Sequence, residues 1–352
     1  MRQNFILTHV TLLLFFCLFD KSYSEEWEQV YGLRGKWKFE IGDDMKRAQK
    51  DFNDNKWETI YAPSAWEDQG YPGYDGYAWY RKHFKSSPDW QYKTLSLQLG
   101  SIDDVDEVYL NGHLVGTTGQ FPPYYRTAYD ANRVYAFPSI YLSNDGDNVV
   151  SVRVYDQELS GGILRGNLGV YEDIQAIKVD LRLPTLWKFN TGDDPEWKSP
   201  QFNDKDWENI VVPAYWETQG FSDYDGFAWY RVRFRVPYYL KDEKLILLLG
   251  KIDDFDETYM NGERIGKTGN MSDRIKSIPG SSAYGELRAY VIPSDVIRVN
   301  EDNVIAVRVY DGFKDGGIYQ GPIGIVERDM YLKWQRYQKR NSKTNIFDWL
   351  FK

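Results

Sequence analysis

The chain repeats itself at domain scale, and this limits its architecture more than any other feature. "WEDQGYPGYDGYAWYR" (Trp66 to Arg81) returns as "WETQGFSDYDGFAWYR" (Trp216 to Arg231), with 11 of 16 positions identical at an offset of 150 residues. At the same offset "FNDNKWETIYAP" pairs with "FNDKDWENIVVP", and "IDDVDEVYLNG" from Ile102 with "IDDFDETYMNG" from Ile252. "NVVSVRVYD" (Asn148 to Asp156) matches "NVIAVRVYD" (Asn303 to Asp311) at an offset of 155, so the second copy carries a five-residue insertion between Gly269 and Tyr290. Two copies of this length are a duplicated domain and not a solenoid, whose units run to about 20–50 residues.

Each copy reads as β-structure. In "AWYRVRFRV" Ala228, Tyr230, Val232, Phe234 and Val236 share one face, and Trp229, Arg231, Arg233 and Arg235 the other. "NVVSVRVYD" alternates in the same way, and "LSLQLG" and "LILLLG" read as fully buried strands. Asn-Gly at 111–112 and 261–262 is a hairpin signal. Short strands without a long amphipathic helix predict an all-β chain of two tandem antiparallel sandwiches followed by a short tail.

The ends are different in kind. Arg2, the apolar run Phe5–Phe19 and Ser22-Tyr23-Ser24 read as a secretory signal peptide over residues 1–24, cleaved near Ser24. The only cysteine, Cys17, lies inside it, so an exported, periplasmic or extracellular chain would hold together by its core and not by disulfides. Aromatic residues make up 17% of the sequence, enough apolar area for such a core. The expected units are residues 25–180, 181–330 and a basic aromatic tail, 331–352, joined near Asp180 to Pro184. That tail has six Lys/Arg against one Asp in a chain of net charge −9, leaving the main body too acidic for a nucleic-acid partner. Its Tyr331, Trp334, Tyr337 and Gln338 could share a helical face for a protein partner or a membrane surface, or simply dock on the fold. No transmembrane segment is expected.

The ordered motifs "FNDNKW…P…WE.QG", "WYR..F", "DEVYLNG..VG..G" and "VRVYD…GGI..G" resemble the jelly-roll, galactose-binding-like domain of glycoside hydrolase family 2. That domain type also occurs in sialate O-acetylesterases and in bacterial sensor ectodomains. The resemblance runs over 30–175 and again over 183–328, and implies two tandem jelly-roll domains. It implies sugar proximity for the Asn of the Asn-Gly turn and the acid after the "VRV" strand, here Asn111 and Asp156, then Asn261 and Asp311. It implies no catalysis of their own, because the glutamates of those enzymes sit on a (β/α)₈ barrel of about 250 residues.

Among the remaining residues, the loops "EDQGYPGYDG" and its repeat offer Tyr74, Asp75, Tyr224 and Asp225 as sugar-binding candidates, with the two tyrosines as stacking faces. Trp79 and Arg81 read as scaffold. The acids Asp103, Asp104, Asp106 and Glu107, repeated as Asp253, Asp254, Asp256 and Glu257, could hold a structural calcium through hard oxygen ligands, with Asp104, Asp106, Asp254 and Asp256 as the candidates. Arg81, Arg153, Arg231 and Arg308 offer ion pairs as the plainer reading. Catalytic residues are not expected: His83 and His113, the only histidines after the leader, belong to no triad or zinc pattern. Function is expected where the copies differ, at Phe121–Arg133 against Asn270–Arg288. The sequence reading is a non-catalytic carbohydrate- or glycoconjugate-binding protein. Its alternatives are a scaffold or sensory interaction module, and a subunit whose catalytic domain lies on another chain.

Overall fold

The computed structural model describes residues 27–269 and 282–350, with side chains described to residue 340. The leader, most of the inserted loop and the end of the tail lie outside these limits.

The first copy contributes β1 (Trp27–Gly32), β2 (Gly35–Ile41), β3 (Glu58–Ala62), β4 (Gly76–Lys85) and β5 (Leu95–Asp103). It continues with β6 (Val105–Leu110), β7 (His113–Thr118), β8 (Asn132–Phe137), β9 (Asp147–Asp156) and β10 (Gly162–Asp173). They form a six-stranded sheet, β3-β2-β4-β9-β6-β7, facing a four-stranded one, β1-β10-β5-β8. The second copy runs through β11 (Leu181–Arg182), β12 (Leu186–Thr191), β13 (Glu208–Val211), β14 (Gly226–Arg235) and β15 (Leu245–Ile252). β16 (Phe255–Met260), β17 (Glu263–Thr268), β18 (Leu287–Val291), β19 (Asp302–Asp311) and β20 (Ile318–Glu327) complete it. Its sheets, β13-β12-β14-β19-β16-β17 and β11-β20-β15-β18, repeat the first topology, so the chain is two tandem β-sandwiches.

The inward faces meet as the alternation predicts. Leu97, Leu99, Val150, Val152 and Val154 are buried in the first core, and Leu247, Leu249, Ile305, Val307 and Val309 in the second. The outward face departs from expectation, because Trp79 and Arg81 are fully buried too. The segment between β2 and β3 folds over them. Arg81 donates through Nε to Asp54 (2.8 Å) and through Nη1 to the backbone oxygens of Arg47 and Gln49 and to Ser151 Oγ. Trp57 and Trp79 close a small second core with Ala48 and Tyr109. Arg231 holds the matching segment through Asp204 (2.7 Å). The "FND" and "WYR" phrases therefore recur together because each completes the other.

The "WE.QG" and "GGI" phrases are coupled in the same way. A Cβ on Gly161 would stand 2.1 Å from the Trp66 ring, and one on Gly162 2.3 Å from the Tyr80 hydroxyl. Gly316 and Gly317 meet Trp216 and Tyr230 at 2.2 and 2.4 Å. These distances are too short for any side chain, so the large rings and the glycine pair specify one another.

The tail forms α1 (Arg328–Leu350). Tyr331 and Trp334 pack on Ile177, Ile246, Leu248 and Val326, and Trp334 Nε1 donates to the Gln175 carbonyl (2.7 Å). This end of the helix is docked on the second sandwich, while Tyr337 is exposed. No helix among the described residues is long and apolar enough to cross a membrane.

Candidate functional site

β4 and β9 pair over ten rungs, from Gly76–Asp156 at one end to Lys85–Asp147 at the other. Asp156 therefore emerges beside the "YDG" loop, and Asp103, the last residue of β5, joins it by pairing with Gly162. Carboxylate oxygens of Asp103, Asp104 and Asp156 lie within 4.8 Å of one another. Asp156 is completely buried, and neither of its oxygens meets a hydrogen-bond partner. Burial, then the nearby charges of Asp103, Asp104, Glu67 and Asp75, push its carboxyl up to about 8. Burial and Asp104 push Asp103 up to about 7. Burial also acts on Asp104, but hydrogen bonds from Thr127, Tyr125 and the Gln157 N–H outweigh it and hold that carboxyl below its usual range. Carboxyls pushed apart in this manner mark functional sites more often than ordinary surface.

The loop where the copies diverge closes over this cluster. It supplies Thr127, whose hydroxyl donates to Asp104 Oδ1, and Tyr125, whose ring meets Tyr155 edge-on at 5.7 Å. Beside it Tyr77 and Phe121 stack at 5.9 Å with the Arg153 guanidinium over both rings, and Tyr124 is 76% exposed. The matching loop of the second copy falls largely outside the described residues. The sequence reading named Asp103 in the acid cluster but missed Glu67 as a site residue. Glu67 was visible in the repeated "WE", and its carboxylate accepts the Gly161 N–H (3.1 Å).

Three expectations need correction. Asn111 accepts the Val149 N–H and donates to Tyr141 O and Asn148 Oδ1, all at 2.8–2.9 Å. It therefore sits at the far end of β9, seven rungs or about 23 Å from Asp156. Asn261 does the same with Val304, Val296 and Asn303. Both hold left-handed turns (φ 53° and 51°), which asparagine tolerates, and both amides are fully engaged. Tyr74 and Tyr224 are half-buried packing residues: each hydroxyl donates to a backbone carbonyl, Tyr77 O and Phe227 O, and each ring meets a tryptophan edge-on at 5.8 Å. Asp75 and Asp225 remain exposed at the loop rim. Finally, Asp106 and Asp256 each pair with an arginine of their own domain, as expected, but it is Arg133 and Arg288 (2.7 and 2.9 Å) and not Arg81 or Arg231, and both acids are fully buried there. Their oxygens are taken by Arg133 and Tyr135 in the first copy and by Arg288, Tyr290 and Thr258 in the second, which leaves calcium no place there. Arg153 and Arg308 do pair with the acid cluster as expected, through Glu107 and Glu257.

The second acid end differs. Asp311 accepts the Phe313 N–H (3.3 Å) through Oδ1, while Asp311 Oδ2 and Glu217 Oε1 are buried without partners. Glu217, Asp315 and the stacked rings of Tyr215 and Tyr319 (4.9 Å apart) line a cleft of about 640 Å³ against Val115 and Gly116 of the first sandwich. Burial raises Glu217 to about 8 and Asp311 to about 7. Both values lie above those of an unfolded carboxyl, so the folded state keeps protons that the unfolded chain releases. That stabilisation is complete near pH 4 and is lost as pH rises toward 8. The melting temperature is expected to fall by at least ~5 °C between pH 5 and 8.5, and the Glu217→Gln, Asp311→Asn double variant to show a smaller fall, with Asp103 and Asp156, raised in the same way, keeping the remainder. A wild-type curve as flat as the variant's would contradict this.

Residues 44–160 match the family model described as the β-galactosidase second all-beta domain. A β-galactosidase of Bacteroides ovatus is 27% identical over 152 residues, which are 39% of this chain and 17% of that enzyme. A β-glucuronidase of Formosa agariphila is 34% identical over 108 residues, 26% of this chain and 11% of the enzyme. The solved β-glucuronidase of Bacteroides uniformis aligns at 16% identity and a TM-score of 0.35, covering 81% of this chain and 28% of that one. The chain thus spans less than a fifth of the curated relatives it matches. Its first sandwich is similar to the second all-β domain of β-galactosidases, and its sequence relatives are glycoside hydrolase family 2 enzymes.

Proposed function

We propose that this is an exported, non-catalytic carbohydrate-binding protein. The observation that carries the reading is Asp156, a buried carboxyl at the loop end of a sandwich whose two oxygens find no hydrogen-bond partner within the protein. Around it Asp75 and Asp103 add acceptors for vicinal hydroxyls, and Tyr124, Tyr125 and Tyr155 offer ring faces. The similarity of residues 44–160 to a β-galactosidase domain supports a glycan as the ligand. The non-catalytic part of the proposal is supported by the matched domain being all-β, and by α1 being the one α-helix among the described residues. Export is supported by the leader pattern in residues 1–24.

A glycan-array screen of the chain after leader removal identifies the ligand. Affinity is expected near ~10⁻⁴ M, as for other shallow, solvated sites. The Asp156→Asn, Asp311→Asn double variant is expected to lose binding while its melting temperature stays within a few degrees. Normal binding by the folded double variant would remove these acids from the site. Absence of any glycan ligand would favour the interaction-module reading, with the exposed Tyr124, Leu159 and Phe313 as contact residues at the loop ends.

A further inference from the structure

We propose that the first sandwich alone binds one divalent cation, calcium by its donor chemistry, through the carboxylates of Asp103, Asp104 and Asp156. Two independent observations meet here. The three carboxylates offer oxygens within 4.8 Å of one another, and two oxygens bound to one calcium at 2.3–2.6 Å lie at most about 5 Å apart. Separately, Asp156 is 0% exposed and both its oxygens lack a hydrogen-bond donor, although buried carboxylates are normally satisfied. A cation supplies what the protein does not.

The surroundings leave that role open. Nearby guanidinium groups are engaged elsewhere: Arg133 with Asp106, Arg153 with Asp43 and Glu107, and Arg81 with Asp54. Asp104 is oriented by Thr127, Tyr125 and the Gln157 N–H (3.1 Å), so Asp103 and Asp156 carry most of the metal's coordination. Asp103 is half-exposed and opens the cluster to solvent, so remaining coordination positions fall to water or to a ligand hydroxyl. All donors are hard oxygens, which suits calcium over zinc or copper.

The second sandwich is a built-in control. There Asp253 turns to accept the Asp254 N–H (2.9 Å), Asp254 accepts the Gly312 N–H (3.0 Å), and Asp311 the Phe313 N–H (3.3 Å). Among the described residues the only carboxylate triad with metal-ligand spacing is the first-copy one. The inference shares Asp103 and Asp156 with the carbohydrate reading but does not rest on it, and its test uses no sugar.

Chelator-treated chain, leader removed, is titrated with CaCl₂ by calorimetry and with Tb³⁺ by tyrosine-sensitised luminescence. One site per chain is expected, at a dissociation constant near ~10⁻⁴ M. Asp156→Asn and Asp103→Asn should each weaken it at least tenfold, and Asp311→Asn should leave it unchanged. If Asp156→Asn fails to fold, Asp103→Asn, on a half-exposed residue, decides alone. No saturable binding below ~10 mM calcium, two sites per chain, or equal loss in Asp311→Asn would overturn the assignment.

Discussion

Replacing Asp106 by alanine is expected to destabilise the first sandwich by about 3–5 kcal/mol, because it strands a buried guanidinium. Arg133 is fully buried and donates to Asp106 (2.7 Å), to the carbonyls of Ala128, Ala131 and Asp104, and to no water-facing group. Asp106 in turn accepts the Tyr135 hydroxyl at 2.6 Å. Burial raises the Asp106 carboxyl despite the Arg133 charge, so the pair is held by mutual need rather than by strong net attraction. With a urea slope of about 2 kcal/mol per M, the unfolding midpoint of that sandwich should drop by ~2 M. Asp256→Ala should do the same to the second sandwich, where Arg288, Tyr290 and Thr258 surround the acid. The Asp106→Leu, Arg133→Met double variant should recover most of the loss, as apolar replacements of a whole buried pair commonly do. Asp302→Ala sets the scale at the other extreme. It breaks a pair with Arg235 in which both side chains are about 70% exposed, and should leave the midpoint close to that of wild type. A midpoint for Asp106→Ala as close to wild type as that of Asp302→Ala would show that the buried pair is dispensable.

The contrast between these pairs also explains what the sequence made legible. Period-2 alternation and the duplicated phrases identified both sandwiches, since inward residues such as Val152 and Val307 announce themselves locally. Arg81 and Trp79 announced themselves as an outward face, and only tertiary structure covers them: the covering segment folds through short turns around Asp54, which carry no periodic signal. Partner choice was illegible for a related reason. Asp106 and Arg133 are 27 residues apart and lie in opposite sheets, so no strand pairing brings them into register. The Asn-Gly turn was recognised as a turn but assigned to the wrong end. β6 pairs with β9, not with the strand before it, and that pairing carries Asn111 to the start of β9 while Asp156 sits at its finish. Adjacency in a family motif did not translate into adjacency in space. What survives at the site is the set of acids on strand ends, Asp103 and Asp156, joined by Glu67 and the divergent loop.

Substituting Gly100 or Gly250 by alanine should be as damaging as breaking the buried ion pair, on the order of 3–5 kcal/mol, and should also disturb the acid cluster. Gly100 sits where β5 slips register against both neighbours, against β8 between its own Gln98 and Gly100 and against β10 between Arg165 and Leu168. Its φ of +63° disfavours any side chain, and a Cβ there would lie 1.9 Å from the Arg165 carbonyl oxygen. Gly250 repeats the arrangement at φ +59°, with Gln320 O at 1.7 Å. Backbone cannot retreat as a flexible side chain can, so the strands must separate. The bulge is also what sends β5 onward to pair Ile102 with Ile163 and Asp103 with Gly162. Gly100→Ala should therefore weaken calcium binding in whatever fraction remains folded, whereas Gly250→Ala should leave it intact. Gly70→Ala separates strain from collision: its φ is +108°, but nothing lies within 4 Å of the new methyl, so only about 1–2 kcal/mol is at stake. Equal midpoints for Gly70→Ala and Gly100→Ala would mean that the close approach of β5 and β10 is soft. A larger loss at Gly100 would mean that the duplicated fold keeps its glycine because two backbones touch there, and that the site inherits its first acid from that contact.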